Sequence, residues 1–138
     1  LMFAEFELYT HESFEKGIPL TAEDYNAKWH ELNVKYFGPE MVVDSEIDVE
    51  WSRIPHFYSD FYVYQYATGY AAASDFAKSI LNNEPNAVEK YVGFLKSGGS
   101  DYPIEILKKA GVDMTTSKPL EATIDRFNEL LDMLEKEI

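Results

Sequence analysis

Apolar residues recur three or four positions apart along most of this chain, and glycine or proline interrupts each run. That period places them on one face of a helix, whereas no stretch alternates apolar and polar residues for long enough to indicate a strand. Hydrophobic residues make up 46% of the chain, which is enough to form a core. The sequence therefore predicts an all-α fold of packed helices, and the short connections favour antiparallel neighbours.

Capping and stop residues bound the first two predicted helices. The first apolar run ends at Gly17 and Pro19. The second helix begins with Thr21 as N-cap, where the hydroxyl can accept from a free amide, and Asp24 lies near the positive end of the helix. We expect this helix to end at Gly38.

The longest predicted helix runs from about Phe57 to Leu81, after a loop at residues 40–48 with at most a short extended piece. Three further helices follow it, beginning near Asn86, near Pro103 and near Ser117. The last of them carries a single apolar stripe, formed by Leu120, Ile124, Phe127, Leu131 and Leu134.

Charge and cysteine content exclude several classes of function. The net charge of −13 makes nucleic acid and anionic lipid surfaces unfavourable partners. With no cysteine, the chain has neither disulfides, thiolate metal ligands nor a thiol nucleophile, which fits a cytoplasmic location. No basic leader opens the chain, and no apolar run reaches the roughly 18 residues that span a membrane.

A zinc hydrolase motif is absent from these residues. In H-E-x-x-H, two histidines one helical turn apart bind the metal and the glutamate activates water. His11 and His30 are each followed by glutamate, but the second histidine is missing in both places, and only His56 remains. A catalytic zinc needs three converging protein ligands, so we interpret both dipeptides as solvated helix surface. The Gly98–Ser100 run is interpreted as a turn that ends a helix, rather than as an anion site.

Tyrosine is concentrated in one segment, where six of the ten residues from Phe57 to Tyr66 are aromatic and four carry a phenol. A buried hydroxyl without a partner costs about 1–3 kcal/mol, so a purely apolar core would favour other residues. The segment predicts a surface that is both apolar and polar, such as the wall of a peptide-binding cleft. The alternative is a packed helix whose hydroxyls reach backbone carbonyls or water.

On a straight helix the four phenols would divide into two directions. Tyr58, Tyr62 and Tyr66 would share one stripe, because they are four residues apart. Tyr64 would point well away from Tyr62. One continuous helix therefore cannot direct Tyr62 and Tyr64 at the same atom, so one would serve a site while the other packs.

Five segments, taken in order, resemble the oligoendopeptidase F family of thimet oligopeptidase-like zinc metallopeptidases. They are residues 3–7 (FAEFE), 50–58 (EWSRIPHFY), 64–69 (YQYATG), 94–100 (FLKSGGS) and 109–113 (KAGVD). The resemblance implies an all-helical enzyme with a deep channel that admits oligopeptides and excludes folded proteins. It also implies that residues 1–138 are a C-terminal helical segment of the catalytic domain, without the zinc motif.

The resemblance further implies roles for the aromatic segment. The family's histidine and tyrosines that contact substrate correspond to His56 and to Tyr58, Tyr62 or Tyr64, and the resemblance leaves the choice among the tyrosines open. We expect His56, Tyr62 and Tyr64 to be catalytic, and Tyr58 and Tyr66 to bind substrate. The Zn²⁺ would be held in the intact parent by H-E-x-x-H and a third glutamate upstream of residue 1. The partners implied are an oligopeptide and the missing N-terminal part of the same enzyme, without which this chain is inactive.

Two alternatives remain open from the sequence. The chain would also suit a standalone helical peptide-binding or scaffold module, or an unrelated helical protein whose tyrosines only pack. Leu1 is not an initiator methionine, which favours a truncated or processed product. Such a product would expose apolar surface on the aromatic helix and at Leu1–Phe14, and self-association would cover it.

Overall fold

The structure, a computed structural model, describes residues 1–138 and contains no strand. Six α-helices are joined by loops and by two 3-10 stretches at Ser45–Arg53 and Pro55–Tyr58. The helices are α1 (Met2–Glu15), α2 (Ala22–Phe37), α3 (Tyr64–Leu81), α4 (Ala87–Ser97), α5 (Pro103–Lys109) and α6 (Lys118–Glu135). The predicted all-α class is confirmed.

The ends of α1 and α2 lie where the capping residues place them. The Asp24 amide donates to the Thr21 hydroxyl at 3.3 Å, and the Thr21 amide donates to the Asp24 carboxylate at 2.8 Å, which completes a capping box. The hydrogen bond from the Thr21 backbone amide, followed by the one that the Thr21 hydroxyl donates to the same carboxylate at 2.9 Å, lowers the pKa of Asp24. Gly38 ends α2 with a φ of 78°, in the left-handed region that favours glycine.

The chain divides into two compact units, Leu1–Gln65 and Tyr66–Ile138. The core of the first unit is aromatic: Phe6, Trp29, Leu32 and Ile54 are buried, and other apolar side chains pack around them. The surrounding residues are Met2, Tyr25, Trp51 and Phe57. We call these eight residues the aromatic cluster. It joins α1 and α2 to the 3-10 stretches, whose hydrogen-bond geometry is poorer than that of an α-helix.

The second unit has its own core, made of smaller side chains. Ala72 and Phe76 of α3 are buried with Ala110 and Val112, and Tyr91, Phe94, Leu107 and Met114 pack against them. Gly111, with a φ of 97°, makes the turn after α5 that brings Val112 into this core.

The aromatic segment was predicted wrongly as part of one long helix. The structure has a 3-10 turn at Pro55–Tyr58, then non-helical backbone at 59–63, and α3 begins only at Tyr64. The helical stripe of Tyr58, Tyr62 and Tyr66 therefore does not exist. The loop predicted at 40–48 is also shorter, because a 3-10 stretch begins at Ser45.

Asn86 precedes α4 as expected, but its side chain makes no capping hydrogen bond. Its backbone has a φ of 60°, and asparagine tolerates this left-handed conformation better than most residues. Asn86 therefore fits the start of α4 through its backbone conformation.

The predicted stripe of α6 is present, and all five of its residues are between 42% and 61% exposed. None of the helices combines the length and apolar character that a membrane span requires.

Candidate functional site

The turn that carries His56 is fixed by its neighbour Phe57. The Phe57 ring lies in the aromatic cluster, with its centroid 5.0 Å from that of Phe6 and 5.7 Å from that of Trp29. Pro55 opens the turn, where its fixed φ suits the first helical position. The backbone at His56 is thus anchored from one side by the core of the first unit.

The segment between this turn and α3 is held by a buried carboxylate. Glu7, on α1, is 1% exposed, and its two oxygens accept hydrogen bonds from the consecutive amides of Tyr62, Val63 and Tyr64. Phe61, just before them, has a φ of 50°. Such a backbone is strained for a bulky residue and persists only where the surroundings hold it in place.

The structure brings two of the predicted catalytic residues together. The rings of His56 and Tyr62 are stacked, with centroids 5.2 Å apart and planes 24° apart. Tyr62 is 40% exposed, so its ring is reachable from solvent. An imidazole and a phenol are both able to donate hydrogen bonds, and here the two side chains lie side by side.

The other predicted site tyrosines lie in different surroundings. Tyr58 is exposed, and its hydroxyl donates to the carbonyl oxygen of Ser52 at 3.0 Å. Tyr64 is the first residue of α3 and is partly exposed. Tyr66 is exposed on α3 and belongs to the second unit.

A second contact between α1 and the irregular segment involves His11. Its ring packs against Phe61, with centroids 4.5 Å apart, and its Nε2 lies 3.7 Å from a carboxylate oxygen of Asp60. His11 Nδ1 is 2.8 Å from the carbonyl oxygen of Glu7. Because a carbonyl only accepts, we assign the Nδ1 proton to this bond. His11 therefore supports the segment from α1 next to Glu7.

The donor set does not fit a catalytic metal. No group of three histidine or acidic side chains is close enough to hold a metal ion. His30 pairs with Asp48 at 2.7 Å, while His11 and His56 lie in the separate surroundings described above. The three ligands that a catalytic zinc requires do not converge within these residues.

An open groove of about 670 Å³ lies beside Tyr64 in the first unit. Phe61 lines it together with Glu5 and Tyr36, whose hydroxyl donates to Glu5 at 3.0 Å. Lys35 also donates to Glu5, and this hydrogen bond is the main reason why the pKa of Glu5 is lowered. Burial is the main cause of the raised pKa of Tyr36. The groove thus combines apolar walls with a charged and hydroxylated rim.

Sequence reasoning missed Glu7, although the sequence contains a signal for it. Glu7 falls four residues after Phe3 and four before His11, on the face of α1 that carries the apolar run. A carboxylate on a core-facing stripe needs buried partners, because an unpaired buried charge is costly. No local pattern shows that those partners are the amides of residues 62–64.

Known proteins that are similar to this chain identify its family. The model of peptidase family M3 matches residues 1–126, so the chain belongs to that family. The chain is 54% identical over 135 residues to the oligopeptidase PepF of Bacillus subtilis, and 47% identical over 133 residues to the group B oligopeptidase PepB of Streptococcus agalactiae. The crystal structure of oligoendopeptidase-F from Enterococcus faecium superposes with a TM-score of 0.93 at 52% identity. The resemblance to oligoendopeptidase F is confirmed.

These similarities cover nearly all of this chain and a small part of each relative. The match to PepF takes in 98% of the chain and 20% of PepF, and the match to PepB takes in 96% and 22%. The match to the Enterococcus faecium structure takes in 98% of the chain and 26% of that chain. The chain therefore spans about a fifth to a quarter of the length of these relatives.

Proposed function

We propose that this segment supplies substrate-contacting and oxyanion-stabilising side chains to a zinc metalloendopeptidase that hydrolyses oligopeptides. His56, Tyr62 and Tyr64 are the proposed catalytic residues, and Tyr58 and Tyr66 are proposed to contact the peptide. The zinc ligands are proposed to lie outside residues 1–138, since the donor set within them does not converge.

The observation that supports this proposal most directly is the stacked pair of His56 and Tyr62. Attack of water on a peptide carbonyl creates a negative oxygen that exists only in the transition state and the intermediate. A neutral donor already in place lowers the energy of that state without stabilising the bound substrate equally. A phenol, with a pKa near 10, keeps its proton at neutral pH and can donate.

The test compares tyrosine-to-phenylalanine variants of the full-length enzyme on a quenched oligopeptide. Tyr62→Phe or Tyr64→Phe should lower kcat by about 10²–10³ with little change in KM, because only the transition state loses a hydrogen bond. Tyr58→Phe should instead raise KM. Tyr102→Phe removes the hydroxyl of an exposed tyrosine before α5 and serves as the matched control. Wild-type kcat in both Tyr62→Phe and Tyr64→Phe would refute the proposed catalytic role.

The alternative of a standalone binding module is tested with the 138-residue chain alone. We expect no hydrolysis of the quenched peptide when zinc is added, since the chain lacks a three-ligand site. Turnover by the isolated chain that a chelator abolishes would contradict the placement of the zinc ligands elsewhere. Peptide binding without turnover would favour the binding module.

A further inference from the structure

Glu7 is the buried acidic side chain of the first unit, and the proposed chemistry does not use its carboxylate. Tyr62 donates its amide to Oε1 at 2.5 Å, and the Val63 amide lies 3.0 Å from Oε1 and 3.1 Å from Oε2. The Tyr64 amide is 3.4 Å from Oε2. Three consecutive amides thus converge on one side chain that is 1% exposed.

This arrangement resembles an anion held by successive backbone N–H groups. Successive amides in a turn conformation form a concave nest for negative charge, and the first amides of a helix have no partner within it. Residues 61 and 63 lie in turns, Phe61 with its φ of 50° immediately precedes the three amides, and α3 begins at Tyr64. Here the anion is a side chain of the protein itself, so the nest is filled from α1.

The carboxylate of Glu7 affects the candidate site through the amides that it binds. Two of the three belong to Tyr62 and Tyr64, the residues proposed to donate to the oxyanion. A displacement of about 1 Å in a catalytic group lowers turnover by up to about 10². A single side chain therefore binds the backbone of both tyrosines.

We propose that Glu7 is a positioning residue for catalysis, which acts by holding the backbone of Tyr62–Tyr64 through its carboxylate. This inference rests on the proposed function of those tyrosines. Glu7 touches no reacting atom, so its contribution passes through the phenols. Its loss should reduce kcat rather than substrate affinity.

The experiment uses Glu7→Gln in the full-length enzyme, because glutamine keeps the shape but replaces one acceptor oxygen with a donor NH₂ group. We expect kcat to fall by about 10–100-fold, with KM within about threefold of wild type. Glu12→Gln is the matched control: it makes the same change on α1, at a carboxylate that pairs with Lys16 and does not line the groove beside Tyr64. Its kcat should stay at the wild-type value.

A combined variant separates positioning from a merely structural role. If Glu7 acts through the two phenols, adding Glu7→Gln to the enzyme that already carries Tyr62→Phe and Tyr64→Phe should slow it by no more than about threefold. Fully multiplicative losses would overturn the inference. Wild-type kcat in Glu7→Gln, together with a lowered kcat in Tyr62→Phe, would also overturn it. Wild-type kcat in both Tyr62→Phe and Tyr64→Phe would instead refute the proposed function.

Hydrogen exchange provides a readout that does not depend on activity. In Glu7→Gln the amides of residues 62–64 should exchange faster than in wild type, while those of α2 keep their protection. Unchanged exchange at 62–64 would overturn the inference. If Glu7→Gln does not fold, Glu7→Asp retains the charge on a shorter side chain and should show the same local loss of protection with a smaller decrease in kcat. Full protection and wild-type kcat in Glu7→Asp would then overturn it.

Discussion

Replacing Phe57 with alanine tests whether the aromatic cluster holds the turn that carries His56. The Phe57 ring contacts the rings of Phe3, Phe6 and Trp29, at centroid distances of 5.6, 5.0 and 5.7 Å. Removing a buried phenylalanine ring costs about 3–5 kcal/mol. Because Phe57 is only partly buried, we expect Phe57→Ala to lower the free energy of unfolding by about 2–3 kcal/mol.

Tryptophan fluorescence is a suitable assay because both tryptophans, Trp29 and Trp51, lie in the aromatic cluster of the first unit. Urea unfolding followed by this signal therefore reports on the unit that contains Phe57. For a unit of this size the free energy falls by about 1 kcal/mol per molar urea. The loss expected for Phe57→Ala thus corresponds to a midpoint about 2–3 M lower.

Tyr58→Phe is the matched control for this prediction, since it changes the neighbouring residue without touching the cluster. Its hydroxyl donates to the Ser52 carbonyl at an exposed position, so the cost should stay within about 0.5 kcal/mol. The reasoning is refuted if Phe57→Ala and Tyr58→Phe unfold at the same urea concentration. The turn at His56 would then be held by something other than the cluster.

Two further predictions concern charge and the exposed helix. The pKa of Glu5 is lowered in the folded protein, so its ion pair with Lys35 stabilises the fold at pH values above 4.5, the ordinary pKa of a glutamate. This contribution is lost as the pH falls through the pKa that Glu5 has in the folded protein. The difference in urea midpoint between wild type and Glu5→Gln should therefore be present at pH 7 and shrink in acid; a constant difference would contradict it. In the full-length enzyme, Leu131→Ala should lower stability by about 2–5 kcal/mol in thermal unfolding if polypeptide outside this segment covers α6, as we expect. Asp132→Asn on the same helix should be neutral, and an equally neutral Leu131→Ala would show that the stripe faces solvent.

The two ends of α2 were predictable because their causes are local. The hydroxyl of Thr21 and the carboxylate of Asp24 lie within one turn of the amides that they bind, so the sequence alone determines the start of α2. Gly38 adopts a backbone conformation that other residues avoid, which identifies the end of the same helix. The apolar stripe of α6 follows from the helical period in the same way.

The start of α3 was not predictable, because its cause is far away in the sequence. Residues 57–63 have the composition and spacing of a helix, and nothing within them forbids one. The carboxylate of Glu7, more than fifty residues earlier, binds the amides of Tyr62 to Tyr64, and Phe61 takes a left-handed conformation. Tertiary contacts therefore override local propensity at the segment where the candidate site lies.

This break in the helix changes what the phenols of Tyr62 and Tyr64 are able to do together. On a continuous helix, residues two apart point about 200° away from each other, so both could not face one atom. Because Tyr62 precedes α3 and Tyr64 is its first residue, helical geometry no longer sets the angle between them. Their backbone amides are held instead by the carboxylate of Glu7, through hydrogen bonds made within this segment. In the proposed role, donors held in advance would need no reorganisation, which is the condition under which electrostatic stabilisation of an oxyanion is largest. The two phenols therefore have to be tested separately, and Glu7 is the residue whose replacement should weaken the contribution of both.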